Sequence, residues 1–233
     1  MGLLFIVEKK KAISVLSGGL DSLVATAYYA KDYDIHALTF DYGQKAVKKE
    51  IEGSEKICDV FNMKHTVINL DWLACISDSA LNSDKDIPTV ENEDLDNPSL
   101  MEDTSKSVWV PGRNIVFTSI ATSFAEAEDA SIIIVGWDKE EAETFPDNSK
   151  EFLNSFNNMI LEGSISNIEV KAPAIDLNKE EIVELGLQLN APLGLSYSCY
   201  SGEDIHCGVC ESCMRRKRAF EKLNINDPTV YKK

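Results

Sequence analysis

Apolar residues recur along this chain in two rhythms. Short β-branched or aromatic runs at residues 12–16, 35–40, 65–69, 131–136 and 168–172 predict strands. Longer amphipathic stretches at residues 22–31, 46–61, 114–130, 150–161, 179–189 and 211–223 predict helices. Strands alternating with helices bury their apolar faces best as a parallel sheet covered by helices on both faces, an α/β fold. The helix from 179 carries its own start signal, with Asn178 as N-cap and Glu181 three residues on as capping-box partner. Residues 70–110 break the rhythm. They hold Asp84, Asp86, Glu91, Glu93, Asp94, Asp96, Glu102 and Asp103, and read as an acidic insertion: a mobile lid, a dimer-facing element or a passive loop.

Composition narrows the class. The 233 residues carry a net charge of −16, which argues against a nucleic-acid partner, since such affinity comes largely from Lys and Arg on phosphates. No apolar run approaches the roughly 18 residues that span a bilayer, so no membrane partner is expected. Residues 1–7 are apolar but lead into Glu8 and three lysines, the wrong charge order for a secretory signal, and Ile6 stands where a myristoylation motif needs Ser or Thr. A cytoplasmic location is expected. Residues 1–190 are expected to form the main domain and 191–233 a small C-terminal lobe.

The first predicted strand runs straight into Ser17-Gly18-Gly19-Leu20-Asp21-Ser22, and a helix follows at once. Two glycines let backbone approach a ligand, and the helix offers unpaired N–H groups, so this is an anion site. Ser17 and Ser22 add hydroxyl donors; Asp21 either caps the helix or holds Mg²⁺. No Lys-Ser or Lys-Thr follows a glycine and G-x-G-x-x-G is absent, which excludes the kinase-type P-loop and the dinucleotide fingerprint.

Two further segments place polar groups near helix starts or strand ends: Phe40-Asp41-Tyr42-Gly43-Gln44, and Val110-Pro111-Gly112-Arg113-Asn114. Arg113 is suited to a phosphate or carboxylate, and Asn114 to capping the helix. Late in the chain Cys199, Cys207, Cys210 and Cys213 supply four soft ligands at turn-compatible spacing, a closed structural site for tetrahedral Zn²⁺. His206 is expected to be an exposed neighbour, and Arg215, Arg216, Lys217 and Arg218 a solvated face. Cys58, among apolar neighbours on a helix, is expected to be buried and inert.

The loop resembles the SGGxDS signature of the PP-loop ATP pyrophosphatases, which implies a Rossmann-like, adenine nucleotide alpha hydrolase-like sheet and chemistry by adenylation. Taken with FDYGQ, VPGRN and the cysteine quartet, the chain is similar over nearly its whole length to the 7-cyano-7-deazaguanine synthase family. That resemblance implies an ATP-dependent carbon–nitrogen ligase that converts 7-carboxy-7-deazaguanine and ammonia to the nitrile of the queuosine and archaeosine pathways, acting as a homodimer. Leu16, Ser17, Gly18, Gly19, Leu20, Asp21, Ser22, Leu23 and Val24 would then bind ATP, with Mg²⁺ as its companion. Ser17, Asp21, Ser22 and Arg113 would serve catalysis, and Tyr42, Gln44, Asn114 and Asp147 the substrate. Gln44, Trp137 and Phe145 are candidates for reading the flat ring. Where better-known members resemble Ser-Gly-Tyr-Pro-Asp-Cys-Arg, this chain reads Thr144-Phe145-Pro146-Asp147-Asn148-Ser149, and Lys150 is the nearest cation to replace the missing arginine. Three other readings stay open: a PP-loop enzyme of tRNA thiolation or amidation, a PP-loop ligase on another carboxylate, and a zinc-ribbon binding module.

Overall fold

A computed structural model describes residues 9–232. Five parallel strands form one sheet: β1 Lys10–Val15, β2 Tyr33–Asp41, β3 Lys64–Asn69, β4 Ile132–Ile134 and β5 Glu169–Lys171. Their order across the sheet is β3-β2-β1-β4-β5. The chain therefore reverses direction across the sheet between β1 and β4, and ligands of open α/β sheets bind in the crevice at that point.

The expected helices all form: α1 Leu20–Tyr29, α2 Val47–Phe61, α5 Arg113–Glu128, α7 Lys150–Gly163, α8 Lys179–Gln188 and α9 Glu211–Lys222. Both faces of the sheet are covered. On one, Ile13, Leu38, Ile133 and Val170 meet Phe117 and Ala121 of α5 and Phe156 and Ile160 of α7. On the other, Leu16 and Ala37 meet Leu23 of α1, Ile57 of α2, Ile182 of α8 and Phe220 of α9. Cys58 is buried there, and burial pushes its thiol up to about 12. Asn178 and Glu181 make the expected reciprocal capping box.

Residues 70–110 differ from the loop expected. They contain α3 Asp71–Ile76 and α4 Pro98–Val108, the latter opened by Asn97, whose side chain accepts from Leu100 N–H with Pro98 at the first turn. Only Met101 and Val108 of α4 are buried apolar residues, too few to mark a period in sequence. The segment is fastened down: Val90 N–H donates to Val209 carbonyl at 2.8 Å, and Arg218 pairs with Asp96 at 2.7 Å. α6 Lys139–Ala142 is a further short turn after β4. Among the described residues no helix is long and apolar enough to cross a membrane. The reading of residues 1–7 lies outside the described residues.

Candidate active site

The anion loop sits at the switch point because β1 ends one residue before Leu16 and α1 begins at Leu20. Gly18 takes a φ of +75°, and a Cβ there would lie 2.6 Å from the Glu50 carbonyl. The two serines shape the loop: their hydroxyls are 3.0 Å apart, Ser17 N–H donates to Ser22 Oγ at 3.2 Å, and Ser22 Oγ donates to Gly19 carbonyl. Gly19 is the N-cap and no side chain caps it, so the first N–H groups of α1 remain for a ligand. Asp21 is thus no cap. It lies in the first turn and pairs with Lys179 Nζ at 2.6 Å.

Gly136, just beyond β4, makes this geometry possible. A Cβ there would lie 2.6 Å from Ser22 N and 2.7 Å from Ser22 Cα. Gly136→Ala is therefore expected to push the start of α1 out of place and weaken ATP binding by about tenfold or more, an overpacking cost of roughly 1–3 kcal/mol. Calorimetric titration with ATP checks this; unchanged affinity would show that the helix can retreat without harm.

A main cavity with about 200 Å³ of room for the centres of water-sized molecules opens over this loop. Its wall joins Ser17, Gly19, Asp21 and Ser22 to Tyr42 and Gln44, to Arg113 and Asn114, and to Cys199 and Tyr200, so all four motifs meet in one place. Arg113 reaches Tyr42 Oη at 3.5 Å and makes no salt bridge within 4.0 Å among the described residues, leaving its guanidinium donors for an anion. Burial pushes the Tyr42 hydroxyl up to about 12, so it stays a donor.

Other expected roles change. Gln44 is 3 % exposed and its amide is spent on Phe40 carbonyl, Glu50 and Tyr42 N–H, so it shapes the turn after β2. Asn114 lies inside α5, capped instead by Gly112, and its side chain donates to Asp147 carbonyl at 3.1 Å. Asp147 is 7 % exposed, accepts from Asn114 N–H and does not line the cavity, so it fastens the loop. Lys150 pairs with exposed Asp176 and does not replace an arginine at the cavity. Trp137 and Phe145 are 5 % and 8 % exposed; both belong to the core and also line the cavity.

Sequence reasoning missed the ionic centre beside the loop. Lys179, first residue of α8, places Nζ 2.6 Å from Asp21 and 2.9 Å from Asp138. Burial opposes its charge, but Asp138, Asp21 and Glu141 outweigh it and hold the ammonium protonated well above its usual range. Asp138 is fully buried, its other oxygen accepting from Glu140 and Glu141 N–H at the start of α6. Burial, then Asp138, pushes the Glu141 carboxyl up to about 8. Asp138 stands just past the carboxyl end of β4, where such sheets bind ligands, and that position was the available signal. For Lys179 the sequence offered none.

Glu50 of α2 also lines the cavity, and burial pushes its carboxyl up to about 7 despite the Gln44 hydrogen bond and Arg113. A folded-state value above the unfolded one means that this group's contribution to stability is full below pH 4.5 and is lost as pH rises to about 7. Glu50→Gln should therefore gain stability over the native chain across that window and hold the gain above it. Urea unfolding across a pH series tests this, and a pH-independent difference would refute it.

At the other wall, Cys199, Cys207, Cys210 and Cys213 bring their sulfurs within 4.8 Å of one another. Cys207 and Cys213 are 4.0 Å apart, near the ~3.8 Å edge of a tetrahedron with 2.3 Å metal–sulfur bonds. Backbone N–H groups of Ser201, Cys207, Val209 and Cys210 donate to these sulfurs, the setting that suits thiolates. His206 is buried rather than exposed and accepts from Ser198 N–H through Nε2 at 3.0 Å. The basic run is no solvated face either: Arg215 pairs with Glu140 and Glu211, and Arg216, 1 % exposed, with Asp227.

The family described as "Queuosine biosynthesis protein QueC" matches residues 11–224. A protein of Methanobrevibacter smithii named 7-cyano-7-deazaguanine synthase is 66 % identical over 95 % of this chain and 98 % of its own. Relatives of the same name from Methanosphaera stadtmanae and Methanothermobacter thermautotrophicus are 60 % and 52 % identical, covering 97 % and 95 % of this chain and 100 % and 99 % of theirs.

Proposed function

The chain belongs to the QueC family, and from that membership we propose that it joins ammonia to 7-carboxy-7-deazaguanine at the expense of ATP, giving 7-cyano-7-deazaguanine. The observation that carries the reading is the single cavity into which the anion loop, Arg113 and the cysteine lobe all open.

The chemistry follows from what a carboxylate lacks, a leaving group. Its oxygen attacks the α-phosphorus of ATP and pyrophosphate departs; ammonia then adds to the acyl carbon and AMP leaves, giving the amide. A second activation of the amide oxygen, followed by loss of two protons and AMP, gives the nitrile. In this chain the free N–H groups of α1 and the Ser17 hydroxyl receive phosphate oxygens, while Ser22, its hydroxyl donating to the Gly19 carbonyl, shapes the loop. Arg113, on the wall and without a salt bridge among the described residues, takes the substrate carboxylate or the α-phosphate. Tyr42 offers a neutral hydroxyl beside it. Aromatic rings of Phe40 and Phe117, stacked 4.2 Å apart, form an apolar floor for a flat base.

Zn²⁺ is the metal that the four converging thiolates fit, and with all four positions filled by protein it would serve the fold of the lobe. For Mg²⁺, Asp21, Asp138 and Glu141 are oxygen donors of the right kind within 4.8 Å of one another, although Lys179 already neutralises two of them. Bound there with ATP, it would offset phosphate charge. A homodimer in the cytoplasm completes the reading. The sulfur-transfer alternative loses ground because the clustered cysteines are buried or half-buried and held by backbone donors.

The test is to incubate the zinc-loaded protein with Mg-ATP, ammonia and 7-carboxy-7-deazaguanine and follow the products by mass spectrometry. Nitrile with AMP upholds the reading. ATP binding with the deazapurine untouched would move the substrate to another carboxylate.

A further inference from the structure

We propose that a small side cavity between α1, α8 and α9 is the subsite that binds the reaction's nitrogen source as ammonium, which gives one proton to water before it attacks as ammonia. The inference rests on the ligase reading and adds to it the place where the nitrogen source is held.

The cavity has about 20 Å³ of room for the centre of a water-sized molecule, enough for one such molecule. It shares Asp21, Glu141 and Tyr200 with the main cavity, so whatever sits in it is one side chain away from the ATP loop. Glu211, in the first turn of α9, lines only the side cavity. It is 3 % exposed; its Oε1 accepts from Arg215 Nε at 3.0 Å, while its Oε2 is buried without any hydrogen-bond partner. An ionisable oxygen left unmet in a protein interior is unusual enough to need a ligand. The Glu141 carboxylate and the Tyr200 hydroxyl, also on this wall, make no salt bridge or side-chain hydrogen bond among the described residues.

The neighbouring cations are already engaged. Arg215 lies between Glu211 and Glu140, Lys179 between Asp21 and Asp138, and Arg216 on Asp227. What remains unmet is the buried Glu211 Oε2, with the Glu141 carboxyl and the Tyr200 hydroxyl beside it, and the occupant that suits this oxygen is a small cation that donates several hydrogen bonds. Ammonium matches water in size but has four donors and a positive charge. Hydrated Mg²⁺ with its shell of waters and a phosphate are both too large for one water-sized space.

Two variants of the zinc-loaded enzyme test this. Glu211→Gln keeps an oxygen for Arg215 and turns an amide N–H₂ toward the place of Oε2; Tyr200→Phe removes a hydroxyl from the opposite side. Losing a hydrogen bond to a charged group should raise KM for ammonia about tenfold to hundredfold in the first and several-fold in the second. KM for ATP and for the deazapurine should stay near the native values, with zinc content unaltered. An unchanged KM for ammonia in both variants, or all three constants rising together, would overturn the proposal. Crystals soaked in thallium(I), which mimics ammonium, give a readout independent of turnover: anomalous density beside Glu211 Oε2 supports the subsite, and its absence there refutes it. If the native enzyme forms neither amide nor nitrile, the ligase reading fails while the thallium experiment still decides the cation site.

Discussion

Replacing Cys213 by serine is expected to abolish metal binding, lower the melting temperature by roughly 10 °C or more, and eliminate turnover. Cys213 is fully buried and Cys210 1 % exposed, in a cluster whose other buried members are only Ala46, Tyr197 and Cys199. So small an apolar core gives residues 196–210, which contain no helix or strand, little support of its own, and a bound metal is expected to supply the rest. In small zinc domains metal binding supplies about 10–16 kcal/mol of folding free energy, and losing even a third of that would move a protein of this size by the stated amount, at about 2–4 °C per kcal/mol. Activity is expected to fall with the fold because Tyr197 N–H donates to Gly18 carbonyl at 2.8 Å, tying the lobe to the loop of residues 17–22. Metal analysis, thermal unfolding and product formation on the purified variant are the measurements. A metal-free variant with native stability and turnover would show that the quartet is dispensable.

Where the sequence was readable, local chemistry alone dictated the outcome. Gly18-Gly19 after an apolar run has few alternatives to a tight strand-to-helix turn, and four closely spaced cysteines lead readily to the cluster whose sulfurs lie within 4.8 Å of one another. Residues whose roles depend on distant partners were read wrongly. Arg216 looked like one of four surface cations, yet it is buried because Asp227, Ser196 and the Leu193 carbonyl satisfy its guanidinium. Asp147 looked like a substrate contact, and its partner proved to be Asn114, 33 residues away. The helix α4 was hidden for a different reason: Thr104 and Ser105 fill buried positions, so its inward face is half polar. Asn97 and Pro98 carry a helix-start signal, but without an apolar period behind it such a signal marks no helix.

Lys179 shows how far such a residue can matter. Lys179→Met should cost about 3–5 kcal/mol of stability, because it leaves a buried carboxylate without its counter-ion. Asp138 has no route to solvent, and Asp21 and Glu141 lie within 4.8 Å of it. The acidic groups of Asp21, Asp138 and Glu141 would then stand at the start of α1 with no cation between them and the incoming triphosphate, and turnover should fall by roughly 10²–10³, the size of effect seen when one donor is removed from a preorganised site. Stability and turnover can be separated by adding Asp138→Asn. Asparagine still accepts the Glu140 and Glu141 N–H bonds at the helix start, and the double variant buries no unpaired charge at that position. Unfolding measurements should therefore show most of the lost stability restored, while kinetics with saturating ATP should show turnover still low, since the ammonium beside Asp21 is absent. Recovery of both together would mean that Lys179 only neutralises Asp138 and takes no part in receiving phosphate. Recovery of stability alone would place the ammonium among the groups that receive the nucleotide's charge.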